Sequence, residues 1–193
     1  MLNSINPSNS ELIASYEEMT KEEVKIIISD VNSAYQKWRL TSFSHRAQLM
    51  KNAAEILQDR KEDLGRLMTF EMGKPFLQAV AEANKCASVC EYYADNAERI
   101  LENQIIETDA SKSYVAYRPI GIVLAVMPWN FPFWQVLRFA APALMAGNVG
   151  VLKHASNVQG CALEIEKIFQ DAGFPKNVFR TLVIGSKDVK EVI

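Results

Sequence analysis

The run Gly121-Ile122-Val123-Leu124-Ala125-Val126-Met127, followed at once by Pro128-Trp129-Asn130-Phe131-Pro132, decides how the chain is read. An uninterrupted apolar run of strand length, closed by a proline-containing turn, predicts a buried strand that enters a loop. From there the pattern alternates: a helix over Phe133 to Met145, a strand over Gly150 to Leu152, a helix over Cys161 to Ala172 and a strand over Val178 to Ile184. Two consecutive βαβ units follow, so the three strands pair in parallel through right-handed crossovers and end on the same edge of one sheet. A further helix is expected from about Lys187, but the sequence ends at Ile193, which leaves the expected sheet short. The fold class is α/β, with N-terminal helices, a β-hairpin arm and an incomplete Rossmann-like parallel sheet.

Upstream, the period is helical. Thr20 and Glu23 have the spacing of a capping box, and Val24, Ile27, Ile28, Val31, Tyr35 and Trp38 form a stripe at helical intervals. A second helix is expected from about Ser44 to Arg60, and a short one around Leu64, Leu67 and Met68 that ends at Gly73. Pro75 suits the first turn of a long helix whose face carries Ala79, Ala83, Cys86, Cys90 and Tyr93. After Asn103 the runs Ile105 to Thr108 and Tyr114 to Tyr117 read as a hairpin. The chain therefore divides into a helical part (1–103), a hairpin arm suited to assembly (104–118) and a βαβαβ part (119–193).

Composition narrows the function classes. The 193 residues carry 21 Lys plus Arg against 23 Asp plus Glu, so no basic excess exists to neutralise a phosphate backbone, and nucleic acid is not an expected partner. With 49% hydrophobic and 23% charged residues the chain reads as globular. Three cysteines, an odd number without a Cys/His cluster, read as free thiols of a reducing compartment such as the cytoplasm, and no metal site is expected. Residues 1–11 lack the basic and apolar regions of a signal peptide. The uncharged stretch Pro119 to Leu137 has the length of a membrane span, but Pro128, Asn130 and Pro132 inside it argue against one.

The loop after the first parallel strand lies where open α/β sheets bind ligands. Asn130 there has two readings: a cap for the following helix, or a carboxamide whose N–H is aimed at a developing oxyanion. The second strand delivers Lys153 and Ser156 to the same edge, where a dinucleotide could bridge them; the plainer reading of Lys153 is a solvated strand-end lysine. His154 has no second ligand at metal spacing. No GxGxxG is present, and Gly147, Gly150 and Gly185 are scattered, which argues against the usual pyrophosphate loop. Phe131, Trp134 and Arg138 share one helical face, so Arg138 either meets an anion there or escapes to solvent.

Pro119-Ile120-Gly121, Pro128-Trp129-Asn130-Phe131-Pro132, Ala143-Leu144-Met145-Ala146-Gly147-Asn148 and Val151-Leu152-Lys153, taken together, resemble the aldehyde dehydrogenase superfamily. The resemblance extends upstream through Glu71-Met72-Gly73-Lys74-Pro75 and Gln78, and downstream through Ala172-Gly173-Phe174-Pro175 to Gly185. It implies the cofactor-binding domain of that family. By it, Asn130 is the side-chain donor of an oxyanion hole, Met127, Pro128, Trp129 and Gly185 lie at the cofactor, and Lys153 holds the adenosine ribose. Ser156 stands where the family often has a glutamate that grips the ribose 2′-hydroxyl. The cofactor is thus expected to be NAD or NADP, with NADP favoured, because a hydroxyl near a lysine accepts a 2′-phosphate that a carboxylate repels.

The same resemblance makes Arg138 the carboxylate-binding arginine of succinate-semialdehyde dehydrogenases, and on the helical spacing Phe131 and Trp134 beside it are expected to line the substrate tunnel. The expected reaction is oxidation of succinate semialdehyde to succinate. It needs a cysteine nucleophile and a glutamate base that the family carries downstream of the matched stretch. Cys86, Cys90 and Cys161 fit neither role, so the chain by itself is expected to be inactive. The hairpin implies a homodimer or homotetramer. The alternative reading is a non-catalytic nucleotide-binding or assembly fragment.

Overall fold

The computed structural model describes residues 1–192, so Ile193, the end of the expected βαβαβ part, lies outside the described residues. The chain opens with an antiparallel hairpin, β1 (Leu2–Ile5) and β2 (Leu12–Tyr16). The helical period, which starts at Thr20, does not predict this element. Its signal is the turn cluster Asn6-Pro7-Ser8-Asn9-Ser10 between two short apolar runs, with Ser10 at φ 62°. Leu2 and Ser4 are the buried residues of β1, so tertiary contact rather than a strong alternation holds the hairpin.

Helix α1 (Lys21–Trp38) begins with the expected capping box: Thr20 accepts from the Glu23 amide and Glu23 accepts from the Thr20 amide. It buries Val24, Ile27, Val31 and Trp38, leaving Ile28 and Tyr35 half-buried. Helix α2 (Phe43–Asp59) is capped by Ser42, and α3 (Lys61–Met72) ends at Gly73, whose φ of 75° suits the left-handed cap that glycine adopts without strain. Pro75 is the N-cap of α4 (Phe76–Ile100), one position earlier than a first-turn proline. The buried stripe of α4 is built mainly from alanine and cysteine, which lets α2, α3 and α5 approach its axis closely.

The arm is shorter than expected, with β3 (Gln104–Ile105) and β4 (Tyr114–Val115) only two residues each. Neither strand has a buried residue, so local contacts support the arm: its short ladder and the side-chain pairs Gln104–Tyr117 and Thr108–Ser113. The sheet follows as β5 (Ile122–Met127), α5 (Trp134–Met145), β6 (Val149–His154), α6 (Gln159–Asp171) and β7 (Phe179–Thr181). Pairing is parallel in the order β5-β6-β7, with Met127 opposite His154 at the carboxyl edge. All six residues of β6 are buried. Helix α1 contacts all three strands. Strand β7 stops before the expected Ile184 because Val183 turns its carbonyl to the Met19 amide, 2.8 Å away, instead of to the sheet. The expected helix near Lys187 is a 3-10 helix, Ser186–Glu191.

The helical half and the sheet half are joined by buried polar side chains. Glu71 of α3 is 1% exposed; its Oε1 accepts from the Ser4 hydroxyl at 2.5 Å and the Gly160 amide at 2.9 Å, and its Oε2 accepts from the Cys161 amide at 2.8 Å. A Cβ on Gly160 would stand 2.8 Å from that carboxylate, so the close approach requires glycine. Helix α6 has no side-chain N-cap of its own, and Glu71 supplies one from a distant element. Replacing Glu71 with Ala leaves the buried Cys161 amide and the half-buried Gly160 amide without their partner. It should destabilise the fold by about 3–5 kcal/mol, with Glu71→Gln costing less, as read by denaturant unfolding.

Candidate active site

The turn between β5 and α5 is held by three buried side chains from elsewhere in the chain, Glu82, Lys74 and His154. The Glu82 Oε1 of α4 accepts from the Phe133 amide at 3.0 Å and the Trp134 amide at 2.9 Å, capping α5, which has no side-chain cap of its own. The other carboxylate oxygen of Glu82 is paired with the Lys74 ammonium, and both side chains are buried. Lys74 in turn reaches the Asn130 carbonyl at 3.4 Å and lies 3.6 Å from the centre of the Phe131 ring. From β6, His154 contacts the Pro132 carbonyl at 2.9 Å.

These contacts correct the capping alternative for Asn130. The first amides of α5 belong to Glu82, and Asn130 touches the clamp only through its backbone carbonyl. Its residue is exposed, and its carboxamide makes no hydrogen bond among the described residues. A side-chain donor on a fixed backbone, at the carboxyl edge of a parallel sheet, can serve a developing negative charge.

The turn sends its aromatic rings in two directions. Trp129 lines a cavity of about 330 Å³ with Ile5, Pro7, Met72 and Asn157, on the side of the N-terminal hairpin. Phe131 and Trp134 line a separate cavity of about 280 Å³ with Lys74, Gln78, Glu82 and Lys85. The Lys85 ammonium sits 3.8 Å from the centre of the Trp134 ring. Helix α5 starts only at Trp134, so Phe131 belongs to the preceding turn and not to the shared helical face expected from spacing. Arg138 stands exposed one turn along α5, outside the lining of that cavity.

On the other side of His154 the edge is polar. Lys153 is not the solvated strand-end lysine of the plainer reading: it is 4% exposed and donates to the Ser186 hydroxyl at 3.1 Å. Its burial pulls the ammonium below the usual lysine range. Ser156 is half-buried, with no hydrogen bond among the described residues. Met127 closes β5 half-buried, Pro128 is exposed, and Gly185 is buried beside the Glu18 carboxylate. The edge therefore brings together Met127, Pro128, Lys153 and Ser156, while Gly185 follows β7 at the N-cap of the 3-10 helix.

Residue spacing missed His154, Lys74 and the capping role of Glu82. A histidine ending an otherwise apolar strand was the available signal for the first, because a buried imidazole needs partners. The thiols offer no nucleophile: Cys86, Cys90 and Cys161 are fully buried and unpaired. Burial raises all three thiols, Cys90 to about 12, so thiolate is negligible at neutral pH. Among the described residues no group of three His, Cys, Asp or Glu side chains could hold a metal ion, and no helix is long and apolar enough to cross a membrane.

The chain is 52% identical over 189 residues to a probable NADP(+) succinate-semialdehyde dehydrogenase of Synechocystis, covering 98% of this chain and 42% of that protein. It is 44% identical over 192 residues to a succinate-semialdehyde dehydrogenase [NADP(+)] 1 of Mycobacterium bovis, with the same coverage. The crystal structure of succinic semialdehyde dehydrogenase from Streptococcus pyogenes in complex with NADP+ superposes with a TM-score of 0.96 at 32% identity, over 100% of this chain and 42% of that one. The chain thus spans less than half the length of the relatives it matches. The family model described as "Aldehyde dehydrogenase family" matches residues 1–193, and the chain belongs to that family.

Proposed function

We propose that these residues form the cofactor-binding and oxyanion-stabilising part of an NADP-dependent succinate-semialdehyde dehydrogenase, with 1–103, 104–118 and 119–193 as its helical, arm and βαβαβ parts. The observation that carries this reading is Asn130, whose carbonyl meets the Lys74 ammonium and whose turn is held at Pro132 by His154, while its carboxamide is free at the sheet edge. Identity to NADP-dependent enzymes across nearly the whole chain supports it. Those relatives extend well beyond the matched residues, and in this reading the nucleophilic cysteine and the general-base glutamate lie in that further length, since the three thiols here are buried and held protonated.

The donor set fits a phosphorylated dinucleotide. The Lys153 ammonium has spent one donor on Ser186, and the Ser156 hydroxyl is uncommitted on the same edge. Lys153 would hold the adenosine ribose and Ser156 the 2′-phosphate, with Met127, Pro128, Trp129 and Gly185 lining the cleft. Bound NADP supplies the hydride acceptor. Asn130 donates its N–H to the aldehyde oxygen as negative charge grows there. Phe131 and Trp134 exclude water, and the exposed guanidinium of Arg138 meets the far carboxylate with two parallel hydrogen bonds.

A carboxylate partner for Arg138 is absent among the described residues, which favours a substrate anion over an internal ion pair. The apolar arm, with Ile105 68% exposed and Ile120 beyond it at 86%, supports assembly into a homodimer or homotetramer. Unpaired buried thiols support a reducing, cytoplasmic setting.

NADP reduction that depends on succinate semialdehyde, measured with the full-length enzyme, tests the reading; the same turnover by the 193-residue chain alone would overturn the assignment of nucleophile and base. In the full-length enzyme Arg138→Ala should raise the KM for succinate semialdehyde about a hundredfold and leave an uncharged aldehyde within about twofold. Equal effects on both would remove Arg138 from substrate binding. Ser156→Glu should weaken NADP binding at least about tenfold while sparing NAD, by repulsion of the 2′-phosphate, as read from cofactor titrations.

A further inference from the structure

We propose that His154 is a positioning residue for Asn130: as a neutral imidazole it pegs the loop after β5 to the end of β6 and so fixes the donor that meets the oxyanion. The proposal rests on the reading of Asn130 given above. The ring is completely buried, on the strand residue that pairs with Met127. The Ala155 amide donates to Nδ1 at 2.8 Å, so Nδ1 carries no proton; the ring proton is on Nε2, which donates to the Pro132 carbonyl at 2.9 Å. One hydrogen bond thus sets the tautomer and the other uses it. Burial lowers the imidazole below its usual range and outweighs the backbone contacts with Pro132 and Met127 that raise it, with a smaller lowering from Lys153, so the neutral ring is favoured.

The peg acts on the segment that needs it. Pro132 has no amide, so its carbonyl is the only backbone handle between Phe131 and Phe133. The stretch from Asn130 to Trp134 is then fixed at the Asn130 carbonyl by Lys74, at the Pro132 carbonyl by His154 and at the Phe133 and Trp134 amides by Glu82. Lys74 gives Asn130 only a long contact, which leaves the His154 bond as the short restraint nearest the carboxamide from the β6 side. Lys153 and Ser156 sit on the same strand end, so the peg also sets the distance between the oxyanion donor and the cofactor groups.

Two substitutions in the full-length enzyme separate the two bonds. His154→Gln keeps a donor long enough for the Pro132 carbonyl and loses the acceptor for Ala155; His154→Asn keeps the acceptor and is too short for Pro132. The expected result is a fall in kcat of about tenfold for Asn with the KM for NADP within about twofold, and kcat within about threefold of the parent for Gln. Equal losses in both variants, or none in either, would overturn the proposal. Amide exchange over residues 127–135 is read in parallel and needs no turnover: it should speed up in the Asn variant only. An enzyme without activity toward succinate semialdehyde would refute the functional reading, while the exchange result still decides the peg. Should the Asn variant not fold, histidine ¹⁵N shifts of the parent decide it: an Nε2-protonated neutral ring at pH 7.5 to 8 supports the proposal, and an Nδ1-protonated or cationic ring there overturns it.

Discussion

The buried carboxylate of Glu82 is the contact on which the architecture of the site depends. It faces two demands at once, the ammonium of Lys74 and the amides of Phe133 and Trp134 at the start of α5. A buried ion pair of this kind adds little net stability compared with an apolar pair of similar volume, but removing one partner leaves the other uncompensated. Its effect here is on geometry. The start of α5, and with it the turn that carries Asn130, can take only the position at which both amides meet that carboxylate.

The same device occurs twice. Neither α5 nor α6 has a side-chain cap drawn from its own sequence, and each is capped by a glutamate from the helical half, Glu82 of α4 and Glu71 of α3. Helix N-termini at the carboxyl edge of a parallel sheet are the usual seats for a pyrophosphate, through free amides and the positive end of the dipole. In this chain a protein carboxylate already occupies both. This agrees with the absence of a GxGxxG motif, since a glycine-rich approach serves phosphate at amides that here are already paired. The helical half therefore completes the sheet half, and the two share one hydrophobic core.

The elements with a strong period were legible. The capping box at Thr20, the stop at Gly73 and the alternation from Gly121 onward each express a local rule, so the expected and observed elements differ by only a few residues. The N-terminal hairpin was not legible in the same way. Its strands are short and mostly exposed, and it is fixed by Ser4 reaching Glu71, a contact between residues 67 apart. The site divides along the same line. Asn130 and Lys153 could be found because topology sends strand ends to one edge, whereas the clamps on them are contacts that no spacing rule encodes.

The sequence by itself determined the parallel α/β class, the edge to which Asn130, Lys153 and Ser156 are delivered, and the exclusion of a GxGxxG phosphate loop. Those properties depend on period, on chain connectivity and on residue type, which are all local. Only the tertiary structure decided that Asn130 is free of helix capping, that Lys153 is buried and not solvated, and that the two ring nitrogens of His154 meet the Pro132 carbonyl and the Ala155 amide. Each of these depends on which distant donor or acceptor reaches a buried polar group first, and that is fixed by packing.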